Sequence, residues 1–440
     1  MGVIGLGHVG LATAVCFAAR RIMTVGVDVD EERVGSISRC KAPFIEDGLP
    51  RLLSQSVKSR KLEVTADPNA LAKSHYLFIC VPTPSAEDGS IDLSFVRTAA
   101  ETVGKVLKGS AEFKVVVVKS TVTPGTATKQ VLPTVESSAG KRLGKFGLAS
   151  NPEFLREGRA IEDTLRPSRL VIGTEDGRSR SMMLALYTRF YGGLPDTVLT
   201  NSVNAELIKY ASNAFLATKV SYVNELANLC SRLPGADVSV VARGMGLDPR
   251  IGPGSLRAGL GYGGSCLPKD VRALLKTAEA VGARLGVAEA AHNANGRQAH
   301  VAVELAEGLI GELSGKRIAL LGLAFKSDSD DMREAVSLNV ISELAGKGAK
   351  VVAFDPAAME NARRMLGDTI EYAGSAKRCL EEADCCILVT DWAEFAKLRA
   401  KDFETLMRTP AVVDGRRLLS SGQLAGRVKF AGVGLGLTGD

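Results

Sequence analysis

Val3-Ile4-Gly5-Leu6-Gly7-His8-Val9-Gly10 runs straight into an alanine-rich segment that ends near Arg20. Two branched residues, glycines spaced G-x-G-x-x-G and then small apolar residues at helical period spell strand, tight turn and helix. The glycines Gly5, Gly7 and Gly10 permit the turn and let a pyrophosphate reach the helix N-terminus. A glycine turn with no ligand has the same letters, so the string needs company. Thr24-Val25-Gly26-Val27 supplies it as a second strand ending at Asp28. A carboxylate there accepts from both adenosine ribose hydroxyls and repels a 2′-phosphate, which favours NAD over NADP. Only Met1-Gly2 precede Val3, so the first strand is expected to be short, as if the start lay a few residues late.

Further strands extend the same parallel sheet. Tyr76–Val81 leads into Pro82-Thr83-Pro84, Lys114–Lys119 into Ser120-Thr121-Val122-Thr123-Pro124-Gly125, and Phe146–Ala149 into Ser150-Asn151-Pro152-Glu153-Phe154-Leu155-Arg156-Glu157-Gly158. Continuous apolar runs suit strands buried on both faces, and ligands gather beyond their C-terminal ends. Thr83, Ser120 and Thr121 stand at such ends, as turn caps or as ligand contacts. Glu153 and Glu157 are four apart, which on a helical turn would stack two carboxylates on one face.

From Asn204 to about Leu233 the pattern is one long helix, with Lys209 and Asn213 sharing a face. Alone, the pair reads as surface decoration; beside a thiolate, it could hold a developing oxyanion or move a proton. Gly259-Leu260-Gly261-Tyr262-Gly263-Gly264-Ser265-Cys266-Leu267-Pro268-Lys269-Asp270 follows. It sets one thiol on a glycine-lined turn, with Pro268 at the first position of a helix. A helix N-terminus favours the thiolate; the plainer reading is a buried structural cysteine. After a linker at 311–315, the strand Arg317–Leu323 opens a second α/β unit. Asp330-Asp331-Met332-Arg333 starts a helix, and strands at Val351–Phe354, Cys385–Val389 and Ala411–Asp414 continue the sheet. The expected fold is α/β, with two Rossmann-like doubly wound domains joined by a long central helix and a helical middle domain. The segments are 1–200, 201–310 and 311–440.

Composition narrows the function. The chain of 440 residues is 45% hydrophobic and 24% charged, with no apolar run that could cross a bilayer and no basic leader segment, so an intracellular, cytoplasmic protein is expected. Eight cysteines, at 16, 40, 80, 230, 266, 379, 385 and 386, show no paired CxxC spacing and no histidine cluster, which argues against a metal site or disulfide framework. A net charge of +6, dispersed along the chain, suits a small anionic ligand rather than nucleic acid.

Taken together, GLGHVG at 5–10, KSTVTPGT at 119–126, NPEFLREG at 151–158, AELIKYASNAFLATKVSYVNE at 205–225, GYGGSCLPKD at 261–270 and GLAFKSDSDDMRE at 322–334 resemble the UDP-glucose/GDP-mannose 6-dehydrogenase family. The resemblance implies oxidation of the C6 alcohol of a nucleotide-linked hexose to a carboxylate with two NAD per sugar. It makes Cys266 the nucleophile, holding the aldehyde as a thiohemiacetal and then a thioester. Lys209 and Asn213 then serve the reacting oxygen, Asp270 orients water and Lys209, and Glu153 is tied to thioester hydrolysis with Thr121 nearby. Gly5, Gly7, His8, Val9, Gly10, Asp28, Arg33, Thr83, Ser120, Glu157, Lys269 and Arg333 become cofactor contacts. Phe154, Leu155, Arg156, Tyr262, Gly263, Phe325, Lys326 and Arg416 become substrate contacts. Arg250 would reach the sugar nucleotide from a neighbouring subunit, which implies a homodimer or higher homo-oligomer. His8 replaces the family's usual tyrosine, and Arg333-Glu334-Ala335 its usual Arg-Glu-Ser.

Within the family, NPEFLREG speaks against N-acetylated sugars. Asp248-Pro249-Arg250-Ile251-Gly252 resembles UDP-glucose enzymes, whereas the leucine of CLPKD also occurs in GDP-mannose enzymes; UDP-glucose is the preferred substrate. A two-electron hydroxyacid dehydrogenase would share the fold and the Lys209/Asn213 pair without needing Cys266. A non-catalytic sugar-nucleotide sensor would need no such set of reactive side chains.

Overall fold

Val115-Val116-Val117-Val118 is buried at every position, as a parallel strand covered on both faces must be. The computed structural model describes residues 1–420, 422, 424 and 428–436. They fall into two compact units, Met1–Ser212 with Lys276–Val281, and Asn213–Leu275 with Gly282–Asp440. The expected end of the last segment, at 440, lies outside the described residues.

The first unit holds strands β1 (Gly2–Ile4), β2 (Thr24–Val27), β3 (Leu62–Thr65), β4 (Tyr76–Ile79), β5 (Val115–Val118), β6 (Gly147–Ser150), β7 (Leu170–Thr174) and β8 (Thr197–Thr200). Their order is β3-β2-β1-β4-β5-β6-β7-β8. The first six strands wind as a doubly wound dinucleotide-binding sheet does, reversing between β1 and β4. Short as it is, β1 pairs along its whole length, Gly2 to Ile4 against Val25–Val27 on one side and Leu77–Ile79 on the other. β7 runs antiparallel to β6, and β8 extends it in parallel. Strands β3, β7 and β8 were not expected from sequence. They are four or five residues long, too short for the alternation Leu62-Glu63-Val64-Thr65 or the run Leu170–Thr174 to stand out from turns.

Apolar layers cover both faces of this sheet. On one, Phe17 of the helix His8–Ala19 stacks on Phe190 with ring centroids 4.2 Å apart. On the other, Val96, Ala100 and Val103 of the helix Ser94–Lys108 pack with Ile4, Ile79 and Val116. Each such large side chain, fully buried, contributes about 1.5–3 kcal/mol.

The second unit repeats the winding with β9 (Arg317–Leu321), β10 (Lys350–Phe354), β11 (Glu371–Tyr372), β12 (Cys385–Leu388), β13 (Ala411–Asp414) and β14 (Lys429–Gly432), in the order β11-β10-β9-β12-β13-β14. It also repeats the glycine turn, at Gly322 with φ +103°, and an acid after the second strand, Asp355. Here the acid is fully engaged: its carboxylate accepts from the N–H groups of Leu323, Ala324, Ala357 and Ala358 and from Trp392 Nε1, at 2.8–3.0 Å. No helix follows the turn directly. The one expected at 330–333 begins at Val336, because the Asp331 carboxylate accepts from the Arg333 N–H at 2.9 Å and bends the chain there. The long helix expected over 204–233 runs Ser202–Cys230. No described helix is long and apolar enough to cross a membrane.

The turn of the first unit tolerates no side chain at its third glycine. A Cβ on Gly10 would lie 1.8 Å from the Gly5 carbonyl oxygen. Gly10→Ala is expected to destabilise the first unit by about 3 kcal/mol or more, since neither backbone segment can yield. Urea denaturation followed by circular dichroism checks this; an unchanged midpoint refutes it.

Candidate active site

Gly7 is the N-cap of the helix His8–Ala19, which has no side-chain cap and no acid in its first turn. A Cβ built on Gly7 would meet nothing within 4 Å. The uncapped first turn is therefore open to an anion, as a pyrophosphate requires. The His8 ring stacks on Phe44, centroids 3.9 Å apart. Asp28, buried at the end of β2, accepts from the Leu6 N–H of the glycine turn at 2.7 Å and from Asp30 N–H at 3.0 Å. Arg33 Nη1 lies 3.1 and 3.0 Å from its two carboxylate oxygens. Thr83 and Ser120 are buried beyond the ends of β4 and β5, and Ser120 donates to the Val81 carbonyl at 2.7 Å. Glycine turn, open helix start and a buried acid at the end of β2 together fit NAD.

Past β6 the chain does not turn into a helix, so Glu153 and Glu157 are not stacked on one face. Residues 151–156 form neither helix nor strand, and Glu153 is drawn inward to a partner. Lys209 Nζ donates to Glu153 Oε1 at 2.9 Å, with the side chains 4% and 7% exposed, and the other oxygen accepts from Leu155 N–H at 2.5 Å. Burial alone would raise the Glu153 carboxyl; Lys209, the Leu155 N–H and Lys119 outweigh it and hold the group below the ordinary glutamate range. Phe154 lies under the Arg169 guanidinium, 3.7 Å from its ring centroid, with Lys209 Nζ at 5.6 Å. Arg156 forms a bidentate pair with Asp163 and is exposed. Leu155 and Glu157 are half-buried.

In the second unit, Cys266 precedes the helix Leu267–Ala280, and its carbonyl accepts from Asp270 N–H at 2.9 Å. It is therefore the N-cap, with Leu267 rather than Pro268 at the first helical position. Cys266 is the one exposed cysteine among the described residues. By contrast burial pushes Cys16, Cys80, Cys379 and Cys385 up to about 12, which makes them inert at neutral pH. The Cys266 loop is held by side-chain amides. Gly259 N–H donates to Asn224 Oδ1 at 2.8 Å, its carbonyl accepts from Gln298 Nε2 at 2.8 Å, and Asn295 brackets Tyr262, accepting its N–H at 2.8 Å and donating to its carbonyl at 2.9 Å. Arg416 Nη1 donates to the Gly261 carbonyl at 3.1 Å and Nε to that of Val389 at 2.6 Å. A Cβ on Gly263 would lie 2.2 Å from the Glu334 carbonyl oxygen, and one on Gly264 2.6 Å from the Phe325 ring. Buried Asp270 accepts from Asn213 Nδ2 and from Lys269 Nζ, each at 2.6 Å. The Tyr262 hydroxyl is buried with no hydrogen-bond partner, and burial raises it to about 12. Arg250 pairs with Asp248 and Arg333 with Asp331, each with its side chain mostly exposed. Lys326 Nζ lies 5.6 Å from the Phe325 ring centroid.

Several contributors were not singled out from sequence. Lys119 is buried, donates to Asn151 Oδ1 at 3.2 Å and bears on Glu153 electrostatically. Glu206, Asn224, Asn295 and Gln298 are likewise buried or half-buried polar groups that carry neighbouring backbone. Only Glu206 had a local signal, standing three residues before Lys209 on one helix face.

Residues 1–191 match the NAD binding domain of the UDP-glucose/GDP-mannose dehydrogenase family, 203–297 its central domain and 319–421 its UDP binding domain. The chain is 40% identical to UDP-glucose 6-dehydrogenase TuaD of Bacillus subtilis, over 96% of this chain and 89% of that one. It is 41% identical to UDP-glucose 6-dehydrogenase AglM of Haloferax volcanii, over 96% and 97%. A solved UDP-glucose dehydrogenase from Pyrobaculum islandicum superposes with a TM-score of 0.91 at 38% identity, covering 99% of this chain and 97% of that one.

Lys209→Met would leave Glu153 buried without its main counter-charge, and we expect a loss of about 3–5 kcal/mol in denaturant titrations at neutral pH. Since Glu153 is depressed in the folded state, the stability it supplies is fully present above the ordinary glutamate pKa and disappears as pH falls through the depressed value. Adding Glu153→Gln should return part of the loss; a double variant no more stable than Lys209→Met refutes the pairing.

Proposed function

The chain belongs to the UDP-glucose/GDP-mannose dehydrogenase family, and from that premise we propose that it oxidises UDP-glucose to UDP-glucuronate through a covalent intermediate on Cys266. It is an NAD-dependent nucleotide-sugar dehydrogenase. The observation that carries the covalent route is the thiol itself: exposed, at a helix N-cap, on a loop whose backbone is tied down by Asn224, Asn295, Gln298 and Arg416.

Bound NAD supplies the hydride acceptor for both two-electron steps. In the first, C6 loses a hydride and its hydroxyl a proton, which passes to solvent while Lys209 and Asn213 hold the oxygen, giving an aldehyde. An aldehyde has no good route to a second hydride loss until something adds to its carbonyl. The Cys266 thiolate adds, its sulfur bonding to C6 while the oxygen takes a proton, and the thiohemiacetal cannot diffuse away. Loss of the second hydride and the hydroxyl proton leaves a thioester. Water adds to the thioester carbonyl with Asp270 and Glu153 placing it, the C6–S bond breaks, and acid and free thiol result. Lys209 and Asn213, as fixed donors, stabilise the oxyanion of that addition, with Thr121 in support.

In the same reading Gly5, Gly7, His8, Val9, Gly10, Asp28, Arg33, Thr83, Ser120, Glu157, Lys269 and Arg333 contact NAD. Phe154, Leu155, Arg156, Tyr262, Gly263, Phe325, Lys326 and Arg416 contact the sugar nucleotide, with cationic groups suited to its diphosphate. Segment 1–200 binds NAD, 201–310 carries the dimerisation helix and thiol loop, and 311–440 binds the UDP-sugar. Arg250, exposed on its unit, serves a neighbouring subunit of a homodimer or larger homo-oligomer. We place the enzyme in the cytoplasm.

Purified protein with excess NAD, offered UDP-glucose, GDP-mannose and UDP-N-acetylated sugars in turn, is expected to turn over UDP-glucose fastest and release two NADH per sugar. One NADH per sugar refutes the four-electron route, and faster turnover of GDP-mannose refutes the choice of sugar. Cys266→Ser is expected to abolish acid formation while leaving the NAD dissociation constant within about twofold.

A further inference from the structure

Glu206 lies three residues before Lys209 on the helix Ser202–Cys230, is 3% exposed, and has no part in the chemistry above. Its Oε2 accepts from Gly125 N–H at 2.6 Å, and its Oε1 from Ala127 N–H and the Ser150 hydroxyl, both at 3.0 Å. Gly125 and Ala127 stand where a π-helical turn, Ala127–Val131, leads into the helix Leu132–Ala139. That helical stretch has no side-chain cap of its own: the Thr126 hydroxyl turns back to the Thr123 carbonyl at 2.6 Å. Glu206 therefore caps it from another element, satisfying orphan N–H groups and meeting the positive end of the peptide dipoles. One carboxylate thereby holds the turn that carries Ser120 and Thr121 and the end of β6, which leads to Glu153. On the same helix face Lys209 holds Glu153 itself.

We propose that Glu206 is a positioning residue of the dehydrogenase reaction, fixing the turn at 120–126, with Thr121, relative to the Lys209–Glu153 pair; this rests on the reading of Thr121, Lys209 and Glu153 as parts of the active site. The arrangement survives a change of protonation. Burial raises the Glu206 carboxyl to about 7 against its hydrogen bonds, and when protonated it can donate to the Ser150 hydroxyl, which then accepts, while both N–H groups keep an acceptor. An amide cannot do this: glutamine has one acceptor oxygen, and its NH₂ would face either the Gly125 or the Ala127 N–H. Glu206→Gln is thus neutral, nearly isosteric and wrong only in its acceptors.

The test compares full-length unmodified protein, Glu206→Gln, Thr121→Ala, the double variant and Ser150→Ala, with NAD and UDP-glucose, and follows amide hydrogen exchange over 120–127. A displacement of about 1 Å in a catalytic array costs on the order of 100-fold, so Glu206→Gln is expected to lower kcat about 10–100-fold. KM for UDP-glucose should stay within about threefold, since none of the residues read as its contacts lies on that turn. The double variant should be no slower than the slower single variant, because Glu206 acts through the turn, and Gly125 and Ala127 should exchange faster. Ser150→Ala, which keeps both N–H bonds, should lower kcat about two- to fivefold, and it carries the test if the glutamine variant does not fold. Native kcat in Glu206→Gln, losses that multiply in the double variant, or native kcat in Ser150→Ala where it stands alone overturns the proposal. None of these outcomes alters the two-NADH stoichiometry of the unmodified enzyme, so this proposal and the reading beneath it fail separately.

Discussion

A carboxylate out of water must be answered by a cation or by donors, and much of the first unit's site follows from answering two of them. Glu153 is answered by Lys209 at 2.9 Å, Glu206 by two backbone N–H groups and the Ser150 hydroxyl. Both contacts fall on one face of one helix, so the helix is held to the sheet's carboxyl edge by one cation and one anion, each with a different partner. The two acids shift in opposite directions: Glu153 is held below the ordinary glutamate range, and Glu206 is pushed up to about 7. Removal of one partner strands a buried charge, which costs far more than a surface ion pair is worth.

Eight thiols illustrate how environment separates chemistry from packing. Six cysteines are buried, and for Cys16, Cys80, Cys379, Cys385 and Cys386 burial raises the pKa. Those sulfurs are small apolar fillers. Cys266 differs in exposure and in standing at a helix start, where the dipole favours negative charge. Four side chains hydrogen-bond the backbone of Gly259, Gly261 and Tyr262 in the adjacent glycine-rich loop, which has few side chains of its own to pack. The two sheets show the same economy. Each has a glycine turn and an acid after its second strand, yet Asp28 stands before an open helix start, whereas Asp355 is saturated by five donors.

What could be read from the sequence was whatever is fixed by neighbours along the chain. Glycine spacing at 5–10, the valine run at 115–118 and the apolar stripe from 204 set turn, strand and helix, because backbone sterics and side-chain period act over a few residues. The placing of Cys266 before a helix was legible for the same reason. Five short strands were not, since two to five residues carry too little period to stand out from turns. The carboxylate pairing expected at Glu153 and Glu157 failed because a helical repeat was assumed where a distant lysine decided the backbone.

Tertiary structure alone decided the partners. Lys209 and Glu153 are 56 positions apart, Asn213 and Asp270 57, and Glu206 and Gly125 81. No local pattern links such residues, because their meeting depends on where the sheet delivers each strand end. Sequence by itself determined the two doubly wound sheets, the cofactor turn and the thiol's place before its helix. Which polar groups are buried, and what answers each of them, came into being only when separate stretches of chain excluded water between them.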